Sequence, residues 1–153
     1  MKVIPLRARD SCRVLLMYVS GPGIVFIKGQ EGFRPTVYGD AGHQAIGYGH
    51  DLLPGQSYPN GINQIQANAL LLEDLQPVEK EVTSLMPQCN QNQFDALCSF
   101  GYNAGVFGLK VMLAHGFSKI PDQLPKWDYS GGVVDPALTK RRAAELALFM
   151  TPC

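Results

Sequence analysis

"EGFRPTVYGDAGHQAIGYGH" (residues 31–50) is the stretch on which the reading of this chain turns. Glu31 is followed nine residues later by Asp40, and the segment closes on Ile46-Gly47-Tyr48-Gly49-His50. Val37, Tyr38, Ile46 and Tyr48 set among glycines predict a small, glycine-loosened β-hairpin over residues 36–53. Upstream, Ser20 is placed to cap a helix with Pro22 in its first turn. That helix runs through Ile24, Ile27 and Lys28 to Glu31, where Gly32 and Pro35 stop it. Glu31 therefore falls at a helix end and Asp40 in a turn, and the two can face each other across a groove.

Downstream the signals are helical. "LLPGQSYPNG" (52–61) is a loop by composition. Asn63 with Gln66 reads as a capping box for a helix carrying Ile65, Ala69, Leu72, Leu75, Val78 and Val82, with Pro77 as a kink. Asn90 with Gln93 repeats the signal ahead of "FDALCSFGYNAG", a buried helix ending at glycine. A shorter helical segment is expected over 106–120, and a final helix behind Asp135 as N-cap and Pro136 at the first position. Mostly helical with one small sheet near the N-terminus, the chain is expected to be α+β.

Composition narrows the function. A chain of 153 residues, 46% apolar and 17% charged, suits one globular domain with a sizeable core. Thirteen basic and thirteen acidic residues cancel, which excludes a dedicated nucleic-acid binder with its basic excess. Cys12, Cys89, Cys98 and Cys153 lack zinc-ligand spacing, and either a disulfide or free thiols suits them. No Cys/His cluster has metal-ligand spacing and no phosphate-loop glycine pattern appears, so neither metal nor cofactor is expected. Lys2, Arg7, Arg9 and Arg13 precede the apolar runs "VLLMYV" and "IVFI", which Gly21-Pro22-Gly23 separates. No run reaches the ~18 residues of a membrane span. Residues 1–19 therefore read as an extension ahead of one domain at 20–153, with a weak signal-anchor as the minority alternative.

Hydrolysing an acetal between sugars needs two carboxyl groups of unlike protonation. One gives a proton to the leaving oxygen; the other stays ionised to assist water or face the positive anomeric carbon. Separations of roughly 6.5–9.5 Å leave room for that water. Burial beside Phe33 or Tyr38 would favour a proton-bearing Glu31. Spacing alone does not separate such a pair from two solvated surface charges.

The surroundings do. "IKGQEGFRPTVYGDAGHQAIGYGH" resembles the catalytic segment of the phage-type lysozymes, glycoside hydrolase family twenty-four: Glu31-Gly32, Arg34, Tyr38, Asp40 and the Ile46–His50 strand. "NQNQFDALCSFGYNAG" is similar to that family's central helix, and "KWDYSGGVVDPALTKRRAAELALF" to its C-terminal segment. The resemblance implies a two-lobed, lysozyme-like fold, Glu31 as general acid and Asp40 as its partner. It implies a structural His50 paired with Asp74, and Arg141 reaching Glu31, although a charge run is ordinarily a solvated face. A cation beside Glu31 would oppose the effect of burial. Asn103 is expected to contact substrate rather than only end a helix. Tyr48 either lines the cleft or packs. Trp127 is expected in the core.

One departure stands out. The family's threonine before the Ile-Gly strand is Ala45 here, and a methyl group cannot hold water. Gln44 or His43 is expected to take over, or backbone holds the water, or the activity is weak or altered. The implied function is a monomeric endolysin muramidase, made in the host cytoplasm and acting on periplasmic peptidoglycan. Alternatives are a lytic transglycosylase using Glu31 alone and a non-hydrolytic peptidoglycan-binding protein.

Overall fold

The computed structural model describes residues 15–40 and 42–153; Cys12 and most of the expected extension lie outside them. Helix α1 (Gly21–Glu31) starts where its cap predicts: the Ser20 hydroxyl accepts from the Gly23 N–H at 3.1 Å. Gly32 ends it at φ 72°, a left-handed conformation open to glycine, and donates its N–H to the Lys28 carbonyl at 2.9 Å. The turn leads into strand β1 (Arg34–Asp40), which pairs antiparallel with β2 (His43–Gly47), and that in turn with β3 (His50–Asp51). The register sets Tyr38 opposite Ala45, Asp40 opposite His43, and Ala45 opposite Asp51. At the tip, a β-carbon on Gly39 would stand 2.1 Å from the His43 carbonyl oxygen, so only glycine fits.

Both long helices carry the reciprocal caps their sequences announce. Asn63 and Gln66 exchange hydrogen bonds at the start of α2 (Gln64–Leu85), and Asn90 and Gln93 at the start of α3 (Gln91–Leu113). Gly105, at φ 80° and ψ 161°, breaks α3 internally, so the expected glycine stop and the following helix abut as one kinked element. The second piece ends at Leu113 rather than near 120. Gly116 at φ 91° halts it, and a 3₁₀ turn (Phe117–Lys119) leads into α4 (Ile120–Gln123). A ribbon of β4 (Tyr129–Ser130) and β5 (Val133–Val134) follows. Its turn is Gly131-Gly132, both at positive φ, a hairpin signal that went unread in the sequence. Asp135 caps α5 (Pro136–Met150), accepting from the Ala137 N–H at 2.8 Å.

Two apolar cores result, as the α+β, two-lobed expectation requires. Ile27, Ile46, Tyr48, Ile62, Ala67, Leu71 and Leu75 close the sheet lobe. Val78, Val82, Phe94, Leu97, Phe100, Leu109, Met112 and Phe149 belong to the helical lobe. Helix α2 serves both, and the change from one core to the other falls between Leu75 and Val78, around Pro77. By length and composition α3 could cross a membrane, but 56% of its apolar window is buried as the central core helix. Met17 and Val19 also pack on the helical core, and the Val19 N–H donates to Glu79 at 2.8 Å. Burial raises the Glu79 carboxyl above its usual range, that hydrogen bond opposing it.

Candidate active site

A cavity of about 280 Å³ opens between the lobes with Glu31 on its wall. The sheet contributes Tyr38, His43, Ala45, Gly49 and Asp51; α3 contributes Tyr102 and Asn103. Gly49, Asp51 and Tyr102 also line a neighbouring cavity that runs past Asp74 and Pro77. Asn103 opens on another, formed with Trp127, Tyr129 and Arg142. Around Glu31 the groove thus adjoins one hollow through Gly49, Asp51 and Tyr102 and another through Asn103.

Glu31 is held from behind. Its Oε1 accepts from Arg141 Nη1 at 2.6 Å, and the two side chains are only 18% and 7% exposed. Arg141 also donates to Glu145 Oε1 at 3.1 Å and to the Ser99 carbonyl at 3.1 Å. Glu145, fully buried, accepts from the Ser99 hydroxyl at 2.8 Å and from Arg142. Arg142 donates onward to the Trp127 carbonyl at 3.0 Å and to the Asn103 side-chain oxygen, and lies 4.6 Å from the Phe100 ring centroid. Burial lowers Arg142 from its usual range and Glu145 opposes the shift. Arg141 and Arg142 thus belong to an interior charge network, in place of the solvated face such a run ordinarily makes, while Lys140 beside them stays exposed. Two carboxylates and two guanidiniums alternate in it, satisfying one another's hydrogen bonds.

The second Glu31 oxygen, Oε2, faces Gly49, where a β-carbon would come within 3.4 Å of it. Beside it Tyr102 donates its hydroxyl to the Tyr48 carbonyl at 2.9 Å. Burial, reinforced by the negative charges of Asp74 and Glu31, pushes that phenol up, so Tyr102 remains a neutral donor. Burial also raises Tyr38, Arg34 opposing.

The opposite wall is exposed. Asp40 stands at the hairpin tip, where its Oδ1 accepts from the Gly42 and His43 N–H groups at 3.0 and 3.1 Å. It is not among the residues lining the cavity around Glu31, but strand alternation puts it on the same face of β1 as Tyr38, which is. Alternation also decides between Gln44 and His43. His43 shares the groove face with Ala45, whereas Gln44 lines a separate hollow with Thr36, Val37 and Tyr58. The expectation that Gln44 joins the substrate site is therefore corrected. Tyr48, left open between lining and packing, packs: it is buried, its ring 5.5 Å from that of Phe33.

His50 is buried, with Nδ1 at 2.8 Å from Asp74 and Nε2 at 2.9 Å from the Gln56 side-chain oxygen. Both partners are acceptors, so the site is fully satisfied when the ring carries both protons. Burial opposes that charge, but Gln56 and Asp74 prevail and the net shift is upward. Asp74 is itself raised, by burial above all. Trp127 is partly buried, edge-on to Phe100 at 5.4 Å. Cys89, Cys98 and Cys153 are free thiols; burial pushes Cys89 up to about 11 and Cys98 further. Asp51, Tyr102 and Glu145 escaped the sequence reading. Only the pairing of β3 onto Ala45, a contact invisible in the linear pattern, brings Asp51 to the groove.

Residues 28–145 match the family model described as phage lysozyme. The chain is 36% identical over 147 residues to the endolysin of Salmonella phage P22, covering 89% of this chain and all of that one. It is 38% identical over 148 residues to the endolysin of Bacillus phage B103, covering 88% of this chain but spanning only 55% of that relative's length. Among solved structures, the muramidase domain of SpmX from Asticaccaulis excentricus superposes with a TM-score of 0.75 at 32% identity. The overlap covers 88% of this chain and 99% of that domain.

Proposed function

The chain belongs to the phage lysozyme family, and from that membership we propose that it is an endolysin muramidase. It hydrolyses the β-1,4 bond between N-acetylmuramic acid and N-acetylglucosamine in bacterial peptidoglycan. The observation that carries this reading is the grip on Glu31: Arg141 holds Oε1 while Oε2 stays turned to the open groove. A proton donor must present one oxygen to the glycosidic oxygen without drifting, and a buried network at its back supplies that rigidity.

In the reaction Glu31 passes its proton to the leaving oxygen as the anomeric carbon becomes positive. Asp40, with Oδ1 tied into its turn, keeps a free oxygen with which to face that charge. Asn103, its side-chain oxygen held by Arg142, offers its amide N–H groups to a hydroxyl or N-acetyl oxygen of the glycan. The hollows that adjoin the cavity at Glu31, through Gly49, Asp51 and Tyr102 and through Asn103, suit a polymer that extends past the cut. The protein acts as a monomer, without metal or cofactor, made in the host cytoplasm and working on the periplasmic wall.

Mass spectrometry of muropeptides released from purified walls tests this. Hydrolysis yields reducing ends, which Glu31→Gln abolishes. Anhydro ends would establish a transglycosylase instead, and binding without release would leave a glycan-binding protein.

A further inference from the structure

Ala45 occupies the middle of the groove's sheet wall with a methyl group, which offers water no hydrogen bond. Its partner on β3 is Asp51, and both line the same cavity as Glu31. His43, on the same face of β2, reaches Asp51 Oδ1 with Nε2 at 3.3 Å. The two side chains are 73% and 67% exposed, so the core makes no demand on them. Gln44 points into another hollow, and Asp40 spends one oxygen on its own turn.

We propose that Asp51, steadied by His43, positions and deprotonates the attacking water at the place where Ala45 offers no hydroxyl. The inference rests on the muramidase reading of Glu31. The water oxygen bonds to the anomeric carbon as the bond from that carbon to the leaving sugar oxygen breaks. Glu31 gives its proton to that leaving oxygen, and one water proton passes to the Asp51 carboxylate. Asp40 faces the transient positive charge. Nothing beyond water and glycan is consumed.

The test measures reducing-end release and, separately, sedimentation with insoluble walls, for full-length chains whose folding is checked by circular dichroism. Asp51→Asn is expected to lower kcat about 10²-fold and His43→Ala about tenfold, with wall sedimentation unchanged. Ala45→Thr, or the smaller Ala45→Ser, then restores turnover to Asp51→Asn by a factor at least about tenfold larger than any gain in the unaltered protein, because the two devices do one job. Asp51→Asn retaining more than about half of the turnover, or Ala45→Thr acting equally in both backgrounds, would overturn the inference and show the pair to be a surface contact. Failure of the underlying reading looks different: the unaltered protein releases no reducing ends, or Glu31→Gln releases them undiminished, and the Asp51 role falls with it.

Discussion

On one side of the groove Glu31 and Asn103 are gripped by Arg141 and Arg142, whose guanidiniums meet at Glu145 inside the helical lobe; on the other, His43 and Asp51 stand exposed on the sheet, with Asp40 exposed at the hairpin tip beyond them. Buried charges survive only when every partner is present, so the first wall is held to one geometry. Exposed charges need no such network and stay wet. The contrast follows the chemistry asked of each side. In the proposed reaction a proton donor has to be placed, whereas a nucleophile that is itself water has to be let in.

Removing the centre of the buried wall is expected to have the largest effect. Glu145→Ala takes from two buried guanidiniums the carboxylate they share and is expected to cost about 3–5 kcal/mol in urea unfolding, with activity lost alongside. Glu31→Gln separates function from stability. Arg141 keeps Glu145 and the Ser99 carbonyl, so the fold persists while wall clearing falls on the order of 10²–10⁴-fold. On the exposed wall, Asp40→Ala should lower kcat by about 10²-fold and leave the melting transition nearly unmoved. A large loss of stability there would mean that this wall is as interlocked as the other.

A smaller effect probes what supports the hairpin from behind. His50→Gln, which breaks the tie from β3 to Asp74, is expected to cost about 1–3 kcal/mol. His50 is raised in the folded protein, so its contribution is full below the unfolded value of 6.5 and is lost as pH climbs through the higher folded value. The stability gap between the two proteins should therefore narrow as pH rises above 6.5. Smallest of all, Lys110→Ala removes an exposed partner of Glu81 at 3.5 Å, away from both walls. It should change stability by less than about 1 kcal/mol and activity not at all.

Much of the fold was legible because the signals act over a few residues. Ser20, the Asn63/Gln66 and Asn90/Gln93 boxes and Asp135 each cap the helix they announce. Glu31 sits at the helix end that Gly32 dictates. The Gly131-Gly132 ribbon was as local but went unread, and Gly105 looked like an end because nothing in the sequence says the chain resumes its helix at once.

The site was legible only in part. Glu31, Asn103 and the His50–Asp74 pair could be named, but Tyr48 stayed open between groove and core, and Gln44 was offered to the groove without knowing which face of the sheet it occupies. A two-residue period states that neighbours diverge; it does not state which of them meets the core.

What the sequence determined by itself, then, is the position of helix ends, turns and the acid beside Gly32, because capping and backbone conformation are settled within one turn of chain. What tertiary structure alone decided is the environment of the charges. Arg141 meets Glu31 across 110 positions of chain, and Arg142 meets Asn103 across 39. Whether such a side chain is a solvated ornament or a buried clamp depends on what packs over it, and only folding brings that covering together.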